Sequence, residues 1–310
     1  MAVDEHSFIP VISGPTAAGK SALALSLASR WPLTIIVADS RQIYRRFDVG
    51  TAKPTVAELA ATPHRGVDLV DPATRYSAAA WAEAADRWID DAFAAARIPV
   101  IVGGTGFYLR ALFSPLFEEP ALDEARRHQL QRWLEALSLP ELRRWTERLD
   151  PDRAHLGRSQ LLRAIEVAVL SGRRLTELHR LHARPARRRA RYLVVDPGQP
   201  LGDRIASRTD AMLAGGWVEE VQTLLEEVPD EAPAWKATGY GAVRELARGR
   251  LTRADARASI VIQTRQYAKR QRTWLRHQLS ASEVTHLDPS DPDAERAAER
   301  WLAAVTGRRS

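Results

Sequence analysis

The 310-residue chain is 45% hydrophobic and 27% charged, an ordinary globular composition with room for one large domain or a domain carrying an insert. It has no cysteine, which excludes disulfides, thiolate metal sites, iron–sulfur clusters and a cysteine nucleophile. No apolar run approaches ~18 residues and residues 1–7 are acidic and polar rather than signal-like, so a cytoplasmic protein with no membrane partner is expected; it is taken as a monomer.

The formal net charge of +6 is unevenly spread, at −2 over the first 120 residues and +8 over the rest. That asymmetry suits a polyanionic partner for the later part, although a solvated arginine-rich surface would look the same. Phe8 to Ile12 reads as a short buried strand, followed by Gly14-Pro15-Thr16-Ala17-Ala18-Gly19-Lys20-Ser21 and then a helix over 22–30 with leucines at 23 and 27. Strand, glycine loop and helix form the setting of a phosphate-binding loop. Its glycines let backbone N–H groups converge, and the helix N-terminus adds positive potential. Lys20 brings a full charge to a phosphate, and the Ser21 hydroxyl can hold Mg²⁺. A second buried strand over 33–38 ends at Asp39-Ser40-Arg41-Gln42. It delivers those side chains to a sheet's carboxyl edge, where α/β sheets bind ligands. Asp39 there can act as a general base or organise Mg²⁺, where a bland reading would make it a helix cap.

Residues 47–54 and 64–72 read as loops. Ser77 caps a helix over 78–96 that presents Trp81, Ala85, Trp88 and Ala92 on one face, with both tryptophans taken as core. A third buried strand over 98–102 runs into Gly103-Gly104-Thr105-Gly106, where glycines admit a ligand and Thr105 offers a hydroxyl. Prolines at 115 and 120 break the pattern. From 123 to about 181 the apolar spacing is helical throughout, with the last run stopped by Ser171-Gly172. An arginine-rich run at 184–191 precedes a fourth strand at 192–197. Arg204, Arg208 and Met212 share one face of the next helix, which ends at Gly215-Gly216; another helix spans 217–227, and residues 238–241 read as a turn. The last long helix, 253–276, has no acid from 256 to 276 and carries Arg257, Arg265, Lys269, Arg270, Arg272 and Arg276, with Tyr267 and Trp274 between them. This is the pattern of a face that meets a phosphate backbone. The fold class expected is α/β: a phosphate-loop (P-loop NTPase-like) parallel-sheet core, 1–114 plus 190–310, with an all-helical insert, 115–189.

In order along the chain, the phosphate loop, Asp39-Ser40-Arg41-Gln42-Ile43-Tyr44, the stretch 48–54, Gly103-Gly104-Thr105-Gly106-Phe107-Tyr108, Arg163-Ala164-Ile165-Glu166, Gly239-Tyr240 and residues 264–271 together resemble the tRNA dimethylallyltransferase family. The resemblance runs from about residue 9 to 276. It implies transfer of a dimethylallyl group from its diphosphate to N6 of the adenosine 3′ of the anticodon, assisted by Mg²⁺. The insert would grip the anticodon stem-loop. Asp39 resembles the family's base, and Thr105 its threonine near the diphosphate bridging oxygen. Lys20, the loop residues 14–21, Arg204 and Arg208 would hold the diphosphate, with Mg²⁺ on Ser21. Contacts to tRNA would come from Asp39, Ser40, Arg41, Gln42, Thr105, Arg127, Arg158, Arg163, Gly239, Tyr240, Arg265, Lys269 and Arg270. The segment 154–163 departs from the family pattern: Asn-Asp is lacking and Gln160 stands where an arginine is usual, with Arg158 and Arg163 as substitutes.

A phosphate loop alone does not choose the chemistry. A small-molecule kinase and an adenylate isopentenyltransferase are rival enzymes, and neither needs the basic last helix. A nucleotide-gated RNA-binding protein is the rival from outside catalysis.

Overall fold

Nineteen regular elements follow one another along the residues that the computed structural model describes, 8–114, 122–181, 186 and 188–307. The proline break at 115–120 and parts of the arginine-rich run, 182–185 and 187, lie outside those residues, as do 1–7, 121 and 308–310. The first part comprises β1 (Phe8–Ser13), α1 (Lys20–Ala28), β2 (Leu33–Val37), α2 (Val56–Ala61), β3 (His64–Arg65), α3 (Ala78–Ala94), β4 (Ile98–Val102) and α4 (Gly106–Phe113). Then come α5 (Glu124–Glu135), α6 (Leu139–Leu149), α7 (Arg158–Ser171) and α8 (Leu175–Leu181). The chain returns through β5 (Arg189–Val195), α9 (Leu201–Ala214), α10 (Trp217–Glu227), α11 (Tyr240–Ala247), α12 (Arg253–Gln278), β6 (Val284–Leu287) and α13 (Ala294–Thr306). The chain divides into two compact units, Met1–Phe113 with Arg187–Ser310, and Ser114–Ala186.

The larger unit is a parallel sheet of order β3-β2-β4-β1-β5-β6. β1 lies between β4 and β5, with Val11 opposite Ile101 on one side and Tyr192 on the other. Its central strands are continuous apolar runs because both faces are covered. On one face Ile12, Leu33, Val37, Val100, Val102, Leu193 and Val195 pack with Leu23 and Leu27 of α1 and with Trp301 and Leu302 of α13. Each such side chain, fully buried, contributes about 1.5–3 kcal/mol. α3 buries Trp81 completely and leaves Trp88 partly exposed. Trp81 Nε1 donates to the Val37 carbonyl at 3.1 Å, and its ring stacks on Tyr108.

Two strands escape a reading by hydrophobic runs. β3 has two residues, and β6 is a four-residue edge strand whose Thr285 and His286 are exposed. The turn expected at 238–241 occupies 238–239 and leads straight into a helix. Gly239, at φ 91°, is the N-cap of α11, and Tyr240 is its first residue.

The helical unit packs α5, α6 and α7 around Leu134, Leu142, Leu161 and Ile165. Gly172, in the left-handed region, ends α7. Glu166 on α7 is 3% exposed. Its carboxylate accepts from Arg127 Nε and from Gln131 Nε2 at 3.0 Å, and from Arg163 Nη1 at 2.6 Å. A buried carboxylate survives only with such charged and hydrogen-bonded partners. Glu166 therefore joins α5 to α7.

Candidate active site

The loop between β1 and α1 is shaped by close approach. A Cβ on Gly14 would stand 2.1 Å from the Val195 carbonyl oxygen, so only glycine fits beside β5. Ala17 takes φ 62°, a strained conformation for a residue with a side chain. The first helical bond of α1 is Leu23 N–H to the Gly19 carbonyl at 3.0 Å. The amides of Lys20, Ser21 and Ala22 thus precede the helical ladder, with the positive end of the helix behind them. Lys20 Nζ donates to the Pro15 carbonyl at 2.7 Å.

Asp39 and Thr105 leave neighbouring strand ends. Ala38 N–H donates to the Val102 carbonyl at 2.8 Å, and Thr105 N–H to the Ala38 carbonyl at 3.2 Å. The Thr105 hydroxyl accepts from Ser40 N–H at 3.1 Å. Asp39 Oδ1 accepts from Arg41 N–H at 2.8 Å, which fixes the carboxylate on its turn. α9 brings Arg204 against Gly19 and Arg208 Nη1 to 3.4 Å from the Thr16 hydroxyl. Burial pulls the Lys20 ammonium down to about 8, helped by Arg208 and opposed by Asp39. Arg208 is likewise lowered by burial and raised by Asp39. Cations crowded into a partly dry site favour an anionic ligand.

α12 supplies two groups that the sequence reading left out of the site, Tyr267 and Gln271. The Tyr267 phenol is pushed up to about 12 by burial and then by the Asp39 charge, while the nearby Thr105 hydroxyl acts the other way. Gln271 takes the Thr16 amide, Oε1 accepting at 2.7 Å.

These elements enclose two adjoining cavities. One, of about 580 Å³, is lined by Lys20, Ser21, Arg204 and Gln271 and by apolar Leu25, Ile35 and Val37. The other, of about 220 Å³, is lined by Ser40, Arg41, Met212, Trp217, Thr264 and Arg270. Thr16, Asp39, Arg208 and Tyr267 line both. No group of three or more His, Cys, Asp or Glu suited to a metal occurs among the described residues. The oxygen donors of Ser21 and Asp39 face the larger cavity, and such hard donors fit Mg²⁺ held mainly by ligand phosphates.

Several residues read as RNA contacts have other partners. Tyr240 is fully buried, its ring 4.8 Å from Phe47 and 5.3 Å from Trp217, and its hydroxyl donates to Glu220 at 2.7 Å. Gly239 is buried against Trp217 and Ile260. Both therefore pack within the larger unit in this structure. Gln42 Nε2 donates to the Thr51 and Ala52 carbonyls, both at 3.0 Å, so its amide nitrogen braces the 47–54 loop. Lys53 closes the same loop on Asp48 and Asp68. Arg127 and Arg163 hold Glu166, and Arg158 donates to the Leu137 and Glu135 carbonyls at 2.7 and 2.8 Å. On α12, Arg257 pairs with Asp210 and Arg272 with Asp196. Arg265, Lys269 and Arg270 are exposed with no acid partner among the described residues.

The family model described as IPP transferase matches residues 42–278, and that described as isopentenyl transferase matches residues 8–69. A tRNA dimethylallyltransferase from Deinococcus radiodurans is 40% identical over 306 residues, covering 96% of this chain and 97% of the relative. The crystal structure of a full-length tRNA isopentenylpyrophosphate transferase from Bacillus halodurans is 28% identical with a TM-score of 0.69, over 97% of each chain. A eukaryotic dimethylallyltransferase, solved acting on tRNA, shares the fold with a TM-score of 0.80 at 24% identity, over 98% of this chain and 80% of that one. The spacing of the phosphate loop, the strand ends that carry Asp39 and Thr105, and a match over most of the length agree: this chain belongs to the tRNA dimethylallyltransferase family.

Proposed function

We propose that the protein transfers a dimethylallyl group from dimethylallyl diphosphate to N6 of the adenosine 3′ of the anticodon in tRNA, releasing diphosphate. The observation that carries this reading is the meeting of two cavities at Asp39 and Arg208, one walled by phosphate-binding groups and the other by Ser40, Arg41 and Arg270. A donor in the larger cavity and a base in the smaller one would meet across the same carboxylate.

The roles follow from the chemistry. N6 of adenine is a weak nucleophile, so a carboxylate that takes its proton as the N–C bond forms speeds attack. Asp39 is that base. As the donor's C–O bond breaks, the bridging oxygen gains negative charge. Lys20, the loop amides, Arg204 and Arg208 stabilise it, and the family resemblance assigns the Thr105 hydroxyl a place near the bond being broken. Mg²⁺, held by the diphosphate and Ser21, would neutralise part of the same charge. Leu25, Ile35 and Val37 line the donor cavity with apolar surface that suits a prenyl group and excludes water. The acceptor must leave its stack to enter, and an anticodon loop offers such a base at low unstacking cost.

The test is to incubate the protein with dimethylallyl diphosphate, Mg²⁺ and unmodified tRNA, digest the RNA and weigh its nucleosides. An adenosine heavier by one dimethylallyl group in place of hydrogen is expected. Product on free AMP alone, or phosphate transfer instead of prenyl transfer, overturns the reading.

The exposed cations of α12 are the proposed RNA face. Arg265 and Lys269 lie at i and i+4 and act as neighbours. Arg265→Ala with Lys269→Ala should lower the salt slope of tRNA binding by about two units, about one per lost phosphate contact. Donor binding should not change. A lower melting temperature with an unaltered slope would make the pair structural.

A further inference from the structure

Gln271 has no role in the chemistry above, yet it is 7% exposed on an otherwise polar stretch of α12. Both ends of its carboxamide are used. Oε1 accepts from the Thr16 amide at 2.7 Å, and Nε2 donates to the Gly104 carbonyl at 3.0 Å. Thr16 belongs to the phosphate loop, and Gly104 immediately precedes Thr105. The approach is close: a Cβ on Gly104 would stand 2.2 Å from Nε2 and 2.7 Å from the Gly14 carbonyl oxygen. One helical turn earlier, Tyr267 comes near Thr105.

We propose that Gln271 is a positioning residue whose carboxamide holds the phosphate loop and the Thr105 loop at a fixed separation, and so aligns the donor's diphosphate with Thr105 and Asp39. This rests on the transfer reading given above. The chemistry of the tie is specific. A neutral carboxamide presents one acceptor and one donor side by side, matching an N–H on one loop and a carbonyl on the other. A carboxylate could keep the first bond but would face the Gly104 carbonyl with a second acceptor. With the Thr16 amide committed to Gln271, phosphate is left to the amides further along the loop and at the start of α1. That commitment fixes the register in which the diphosphate sits, and displacement of reacting groups by about 1 Å can cost roughly 100-fold in rate.

Two variants test this. Gln271→Met keeps the length and removes both hydrogen bonds. It should lower kcat about 10- to 100-fold, while Kd for inorganic diphosphate and for unmodified tRNA each stay within about threefold. Gln271→Glu regains the full tie only when protonated, since the acid can then accept from Thr16 and donate to Gly104. The native-to-variant ratio of kcat should therefore be large at about pH 8.5 and narrow toward about pH 6, because burial opposite a carbonyl favours the protonated acid. Undiminished kcat in Gln271→Met overturns the proposal, as does a ratio for Gln271→Glu that is flat with pH. So does a fall in melting temperature with unchanged kcat per folded molecule, which is what a simple brace would give. Failure of the transfer reading shows separately, as native protein that yields no prenylated adenosine. Hydrogen exchange at the Thr16 amide then still decides the tie, with exchange in Gln271→Met no faster than native counting against it.

Discussion

Asp39→Asn should reduce the turnover of dimethylallyl transfer by roughly 10²–10⁴, the usual range for a general base, with tRNA affinity nearly unchanged. The substitution keeps the shape and the Oδ1 acceptor that the Arg41 amide uses. It removes only the basicity, so the turn at the end of β2 should survive. Single-turnover rates at saturating donor and tRNA give the measurement. A loss under about tenfold would make Asp39 a residue that positions Arg41 or caps its turn.

Lys20→Ala should lower kcat by roughly 10²–10³ and raise the donor KM, because a preorganised cation at the developing diphosphate charge is lost. The lowered Lys20 value makes the effect pH-dependent in a defined direction. The ammonium titrates at about 8 rather than at the ordinary 10.5. Between those values the unfolded chain holds the proton more readily than the folded one. The cost to the fold is therefore full below about pH 8 and is relieved as pH rises toward 10.5. Diphosphate binding wants the charged form. Its affinity should fall with pH above about 8, approaching tenfold per unit, relative to Lys20→Ala at the same pH. Calorimetry with inorganic diphosphate measures it, and the ratio to the variant cancels the ligand's own titration. A native-to-variant ratio that stays constant from about pH 7 to 9.5 would remove Lys20 from the diphosphate site.

What could be read from the sequence alone follows the range of the forces involved. The phosphate loop is legible because its requirements are local: glycines at two turns, a lysine before a helix, an apolar strand ahead. Asp39 and Thr105 are legible for a related reason, since each ends an apolar run and the parallel sheet brings those ends to one edge. Gln271 was hidden because its partner Thr16 lies 255 residues away, and one glutamine in a polar helix carries no periodic signal. Tyr240 shows the same limit: a tyrosine between two glycines carries no periodic signal of burial, and only the fold reveals Phe47, Trp217 and Trp235 around it. β6 was missed because an edge strand with exposed Thr285 and His286 lacks the continuous apolar run that marks the inner strands. The six cations of α12 could be counted but not sorted, since pairing with Asp196 and Asp210 depends on tertiary neighbours.

The strand order has a consequence for how the chain is made on the ribosome. β1 emerges ahead of every other strand of the sheet, but one of its two neighbours is β5, beyond the whole helical insert. When Phe113 has left the exit tunnel, β3, β2, β4 and β1 can already pair, and the outer edge of β1 carries open backbone groups. About 80 further residues must be translated before β5 covers that edge, roughly 4–16 s at common elongation rates. The helices α5 to α8 need only short-range contacts and can form during that interval. Any stall within the insert therefore prolongs exposure of a flat, apolar strand edge, and nascent chains arrested there should be the ones most dependent on chaperones.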